Sequence, residues 1–189
     1  MENPFVVLVA LIDAFDKLKI DYVVVGSVAS SLHGEYRASG DIDIIADIKV
    51  SHISGIIELL HHDFYLDELA IRRAIEHGRS FNVIHLEAVF KADIFIPVTE
   101  LARQQLKRRE QHELGSIPDQ RVWVASAEDT ILAKLVWYRR GNETSELQWR
   151  DLRGIIGTRE GSLDLVYLKH WSERLGVADL LERALSESG

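Results

Sequence analysis

The 189 residues suit one medium domain, or a domain with a helical appendage, since compact domains usually run to roughly 100 to 200 residues. Hydrophobic residues at 47% and charged residues at 28% exclude extended disorder, and the lack of cysteine excludes a disulfide framework and a thiolate zinc site. A formal net charge of -8 argues against broad capture of a phosphate backbone, which relies on Lys and Arg, and a cysteine-free chain fits a reducing, cytoplasmic compartment.

Pro4 to Leu11 is apolar but lacks a basic leader and is cut off by Asp13, Asp16 and Lys17, so it reads as an amphipathic helix rather than a signal peptide or membrane span. Helical spacing over Val6 to Leu18 gives way to a buried strand at Tyr22 to Val25, ending at Gly26. Ser27 to His33 is helix-compatible, with Ser27 as N-cap and Gly34 as stop. After a loop through Gly40, Asp41-Ile42-Asp43-Ile44-Ile45 alternates as a strand end does beside a cleft.

Ser51 to His61 and Asp67 to Glu76 read as helices, and Ser80 to His85 with Ala88 to Phe95 as a hairpin closed by Pro97. Val98 to Glu113 is charged and helix-forming, Gly115 to Gln120 is turn-rich, and Arg121 to Val124 is a short strand. Helical periodicity then fills Ala127 to Arg139, Ser145 to Ile156, Leu163 to Arg174 and Val177 to Leu185. The expected organisation is an α/β core at 1–124, a mixed sheet flanked by helices, with a helical region at 125–189 packed on it.

Chemistry concentrates in three places. A glycine between a buried strand and a helix lets backbone approach a ligand, and the first helical amides with the Ser27 hydroxyl can donate to phosphate oxygens. Asp41 and Asp43 are two apart, so on a strand both carboxylates face one way and repel unless a cation lies between them. Their hard oxygens favour Mg²⁺ or Mn²⁺. Asp93, between Ala92 and Ile94, offers a third carboxylate from a later strand, although Asp47 and Glu87 are nearby acids. Three acids can hold two metals, which would clamp an in-line displacement at phosphorus, Asp93 completing the second site and accepting the acceptor's proton. The catalytic and metal-binding candidates are therefore Asp41, Asp43 and Asp93, and Gly26 and Ser27 are nucleotide-binding candidates.

Other residues read more blandly. His61 and His62 are adjacent and lack zinc-site spacing, His33 could support the loop beside it, Lys107-Arg108-Arg109 suits a solvated helix face, and the tryptophans suit packing between helices.

The run Gly26-Ser27 through Arg37 to Asp41-Ile42-Asp43-Ile44, with Asp93 on a later strand, resembles the nucleotidyltransferase (DNA polymerase β-like) superfamily. Within it, His33-Gly34, Arg37 and Asp41, with Glu128-Asp129-Thr130-Ile131-Leu132-Ala133-Lys134-Leu135 and Arg150-Asp151-Leu152, look like small bacterial AbiEii-type toxins. The resemblance spans roughly residues 20 to 155. It implies metal-dependent transfer of a nucleotidyl group from an NTP to a hydroxyl on RNA, protein or a small molecule. A cognate antitoxin or partner protein and a role in phage defence are implied with it. By the same carry-over Lys134 would reach the triphosphate, Arg37 would order the loop beside the acids, and Asp151 would be a further polar site residue. The rival expectation is an NTP-binding regulatory or antitoxin-like module that keeps the fold without the chemistry.

Overall fold

The computed structural model of the chain describes residues 4–34, 40–114 and 120–188. Helix α1 (Pro4–Lys17) buries Val7, Leu8, Leu11, Ile12 and Phe15, the stripe its helical spacing predicts. Strand β1 (Tyr22–Val25), helix α2 (Gly26–His33) and strand β2 (Asp41–Ala46) follow. A single 3-10 turn at Val50–His52 leads into α3 (Ile53–Leu60), then β3 (Phe64–Tyr65) and α4 (Glu68–His77). Asp67 caps α4 by accepting from the Leu69 and Ala70 amides, and Gly78, at φ 60, closes it in the left-handed conformation.

The predicted hairpin forms from β4 (Ser80–His85) and β5 (Phe90–Phe95). Next come α5 (Glu100–Lys107), capped by Thr99, then β6 (Glu110–Glu113) and β7 (Arg121–Val124). The helices α6 (Ala127–Arg140), α7 (Glu146–Thr158), α8 (Leu165–Leu175) and α9 (Ala178–Ser188) complete the chain.

Three local expectations need correction. The helix expected over Val98 to Glu113 stops at Lys107, because Glu110 to Glu113 pair antiparallel with β7 and add an edge strand. Ser27 lies inside the first turn of α2, which begins at Gly26, so it is not the N-cap. The segment expected to be a helix from Ser51 begins as a 3-10 turn. The turn expected at Gly115 to Gln120 lies, apart from Gln120, outside the described residues.

Among the described residues, seven strands form one mixed sheet in the order β3-β4-β5-β2-β1-β7-β6. β2 runs parallel to β5, and β1 parallel to β7, while β1–β2, β3–β4, β4–β5 and β6–β7 are antiparallel. The architecture is the expected mixed sheet flanked by helices. One apolar cluster packs α1, α3 and α4 against the sheet through Tyr22, Val24, Ile42, Ile44 and Ile94. A second lies among the C-terminal helices, built from residues such as Ile131, Leu135, Trp149, Leu152, Leu168 and Leu181. A small third cluster joins Val23 and Ile45 to Ala102 and Leu106 of α5, and so places α5 on the opposite face of the sheet from α1.

A buried polar knot fastens the helical region to α5. Asp129 is fully buried, accepts a 2.7 Å bond from the Tyr167 hydroxyl and lies 3.6 Å from Arg108. Arg108 also reaches Glu128 at 3.3 Å and stacks 3.8 Å over the Tyr167 ring. No helix among the described residues is long and apolar enough to cross a membrane.

Candidate active site

Strand β2 divides its side chains cleanly. Ile42 and Ile44 enter the large core at 1% and 0% exposure, which turns Asp41 and Asp43 to the other face, the one α5 partly covers. The parallel register of β2 and β5 sets Asp43 opposite Asp93 and Asp41 opposite Lys91. Residues paired across neighbouring strands project to the same side, so Asp41, Asp43 and Asp93 share one face of the sheet. Burial, followed by the charges of Asp41 and Asp93, pushes the Asp43 carboxyl up to about 6, with Lys91 and Lys134 pulling in the opposite direction.

Gly26 stands at the end of β1, next to the Val25–Asp43 pair of the antiparallel β1–β2 ladder. Its φ of +64 lies in the left-handed region, and a Cβ built there would fall 2.1 Å from Asp43 Oδ2. Backbone and carboxylate can approach this closely only because the side chain is a hydrogen. Ser27 is in the first turn of α2, where the amides have no intrahelical acceptor and can serve an anion. Farther along, the Ser30 and Ser31 hydroxyls turn back onto the carbonyls of Gly26 and Ser27 at 2.8 and 3.0 Å.

The basic residues divide differently from expectation. Lys91 Nζ donates to Asp93 Oδ2 at 2.6 Å, and this bond, helped by Asp41 and Asp43, holds the ammonium above its usual range. Sequence reading passed over Lys91, although Lys-x-Asp on a strand places both side chains on one face. Lys134 is buried on α6 and donates to Gln148 Oε1 and Asp151 Oδ2, both at 3.1 Å. It therefore works partly as the partner of Asp151 on α7, while its charge still acts on Asp43. Arg37 lies outside the described residues. The expected basic helix face is largely consumed internally, since Arg109 pairs with Asp21 at 2.6 Å and Arg108 joins the polar knot.

Three aspartates on one face offer oxygen donors only, the donor type that suits a hard divalent cation. Among the described residues, the group whose ligand atoms all lie within 4.8 Å of one another is a different one, His33, Glu110 and His112, rather than the three aspartates. There the His33 ring is already engaged at both nitrogens: Nε2 lies 2.6 Å from the Ala125 carbonyl and Nδ1 3.1 Å from the Arg159 guanidinium. The carbonyl requires the proton on Nε2, leaving Nδ1 to accept from Arg159, so His33 is a satisfied buried imidazole bracing α2 against β7 and α7.

The fold matches that of solved nucleotidyltransferase-like structures. The antibiotic-resistance factor ANT(2'')-Ia superposes with a TM-score of 0.59 at 12% identity, over 97% of this chain and 99% of that one. An antigenic nucleotidyltransferase-like protein from Paracoccidioides brasiliensis gives 0.53 at 19% identity, covering 95% and 91% of the two chains. Lincosamide antibiotic adenylyltransferase LnuA, in its lincomycin-bound form, gives 0.50 at 15% identity, covering 78% and 93%. No family model matches the sequence, and no curated protein does.

Proposed function

We propose that this chain is a divalent-metal-dependent nucleotidyltransferase that moves an NMP group from an NTP to a hydroxyl acceptor. The observation that carries this reading is the parallel β2–β5 register, which sets Asp93 opposite Asp43 on the strand face that also bears Asp41. A bound Mg²⁺ or Mn²⁺ would neutralise phosphate charge and make the acceptor hydroxyl more acidic. Asp41, Asp43 and Asp93 are the residues that would hold it. Gly26 admits the phosphates against bare backbone, and Ser27 with the first amides of α2 donates to their oxygens. In this reading Asp93 would also take the proton leaving the acceptor.

In this reading residues 1–124 bind and activate the nucleotide while 125–189 supply the wall carrying Lys134. Lys134, already steadied by Asp151, adds positive charge near the acids. Two of the structural neighbours are by name an antibiotic-resistance factor and an antibiotic adenylyltransferase, which favours a small hydroxyl-bearing molecule as acceptor over RNA or protein. The formal net charge of -8 points the same way, because a nucleic-acid acceptor needs phosphate contacts. The AbiEii-like motifs support a second version, a toxin controlled by a cognate antitoxin.

The test is incubation with each α-labelled NTP, Mg²⁺ and a cell extract, with the products separated into RNA, protein and small molecules. Transfer of label that disappears in Asp41→Ala/Asp43→Ala is the expected result, and the labelled fraction names the acceptor class. Binding of NTP with Mg²⁺ but no transfer to any fraction would instead identify a non-catalytic nucleotide-binding module.

A further inference from the structure

Three carboxylates could hold two divalent ions, but the site contains a cation of its own. Lys91 lies opposite Asp41 in the β2–β5 register and two residues before Asp93, so it projects to the same face as all three acids. Its ammonium is 2.6 Å from Asp93 Oδ2, with the lysine side chain 42% exposed and the aspartate 20%. We propose that Lys91 is a resident cation of the acidic cluster, standing where a second divalent ion would sit, so that the site takes one divalent ion rather than two.

This inference rests on the metal-dependent reading above and narrows it. Asp93 Oδ2 accepts from the ammonium at 2.6 Å, so positive charge already stands against that carboxylate. A second dication would have to share Asp93 with a positive charge at hydrogen-bond distance, and like charges oppose that in a partly buried setting. Lysine is suited to the role because its three donors on a flexible stem impose no coordination geometry and carry charge without exchange into solvent. Lys134 does not duplicate it, being held between Gln148 and Asp151 on the helical side of the site. One ammonium and one divalent ion together balance three carboxylates. Lys91 is thus a positioning residue: it fixes Asp93 and sets how many ions the acids recruit.

The experiment is Mn²⁺ titration of the whole chain without nucleotide, followed by electron paramagnetic resonance of free Mn²⁺ and by calorimetry. Wild type should bind one Mn²⁺ per chain, Lys91→Arg one, and Lys91→Met two, with circular dichroism confirming that each is folded. Asp43→Asn should lose the ion in every background. Two ions on wild type, or one on Lys91→Met, overturns the proposal while leaving the metal-dependent reading intact. No ion on wild type overturns both. Should Lys91→Met fail to fold, Lys91→Gln, which retains a hydrogen-bond donor without charge, makes the same comparison.

Discussion

Gly26 and Asp43 constrain each other. Alanine at position 26 would drive a methyl group to 2.1 Å from Asp43 Oδ2 while holding φ at +64. Gly26→Ala should lower unfolding free energy by about 1–3 kcal/mol in urea titrations and abolish nucleotide transfer. Asp43 gives a pH-dependent prediction. Its folded pKa of about 6 exceeds the ordinary 3.8, so the fold disfavours the ionised form. Its relative stabilisation is complete below the ordinary value and is lost as pH rises through 6. In metal-free protein, Asp43→Asn should therefore raise stability at pH 8 by on the order of 2 kcal/mol, the gain fading as pH falls toward 4, as thermal melts across pH would show. Saturating Mg²⁺ should erase or reverse that gain. The glycine turn and the Asp-x-Asp pair were legible in the sequence because each depends on local geometry, a φ value or a two-residue period. Lys91 was legible only in part, since Lys-x-Asp sets it on the face of Asp93 but the parallel β2–β5 register is what brings that face to Asp41 and Asp43.

Among the elements, most strands and helices could be read from periodicity, and β6 could not. Glu110-Gln111-His112-Glu113 has no apolar alternation, and its pairing with β7 supplies the hydrogen bonds that its side chains do not predict. The Lys107 to Arg109 run was legible as charge but not as a junction, because its partners Asp21, Glu128 and Asp129 are distant in sequence. At that junction the fully buried Asp129 depends on the Tyr167 hydroxyl at 2.7 Å. Tyr167→Phe keeps the ring under Arg108 and removes only the donor. It should cost about 1–3 kcal/mol by chemical denaturation, the penalty for leaving a buried acceptor short of a partner.

For the molecule as a whole, the sheet and the C-terminal helices meet beside the acids, and the Lys134–Asp151 pair lies close to that meeting. Both side chains are nearly buried, at 7% and 10% exposure, and 3.1 Å apart. Removing one partner leaves the other charge stranded. Lys134→Met should destabilise by about 3–5 kcal/mol, and Lys134→Met/Asp151→Leu should recover much of that loss, in a double-mutant cycle followed by denaturant unfolding. If Lys134 also serves the nucleotide, the double variant will be stable yet bind NTP more weakly than wild type.

The sheet ends on one side in β6, whose outward-facing backbone is bordered by Glu110, Gln111, His112 and Glu113. Another copy adding itself there as an eighth strand would lay its own two glutamates among these, in a ribbon with no apolar side chain to cement it. Charge along that rim opposes the edge-to-edge stacking that seeds fibrils, and a change such as Glu113→Val would weaken that opposition.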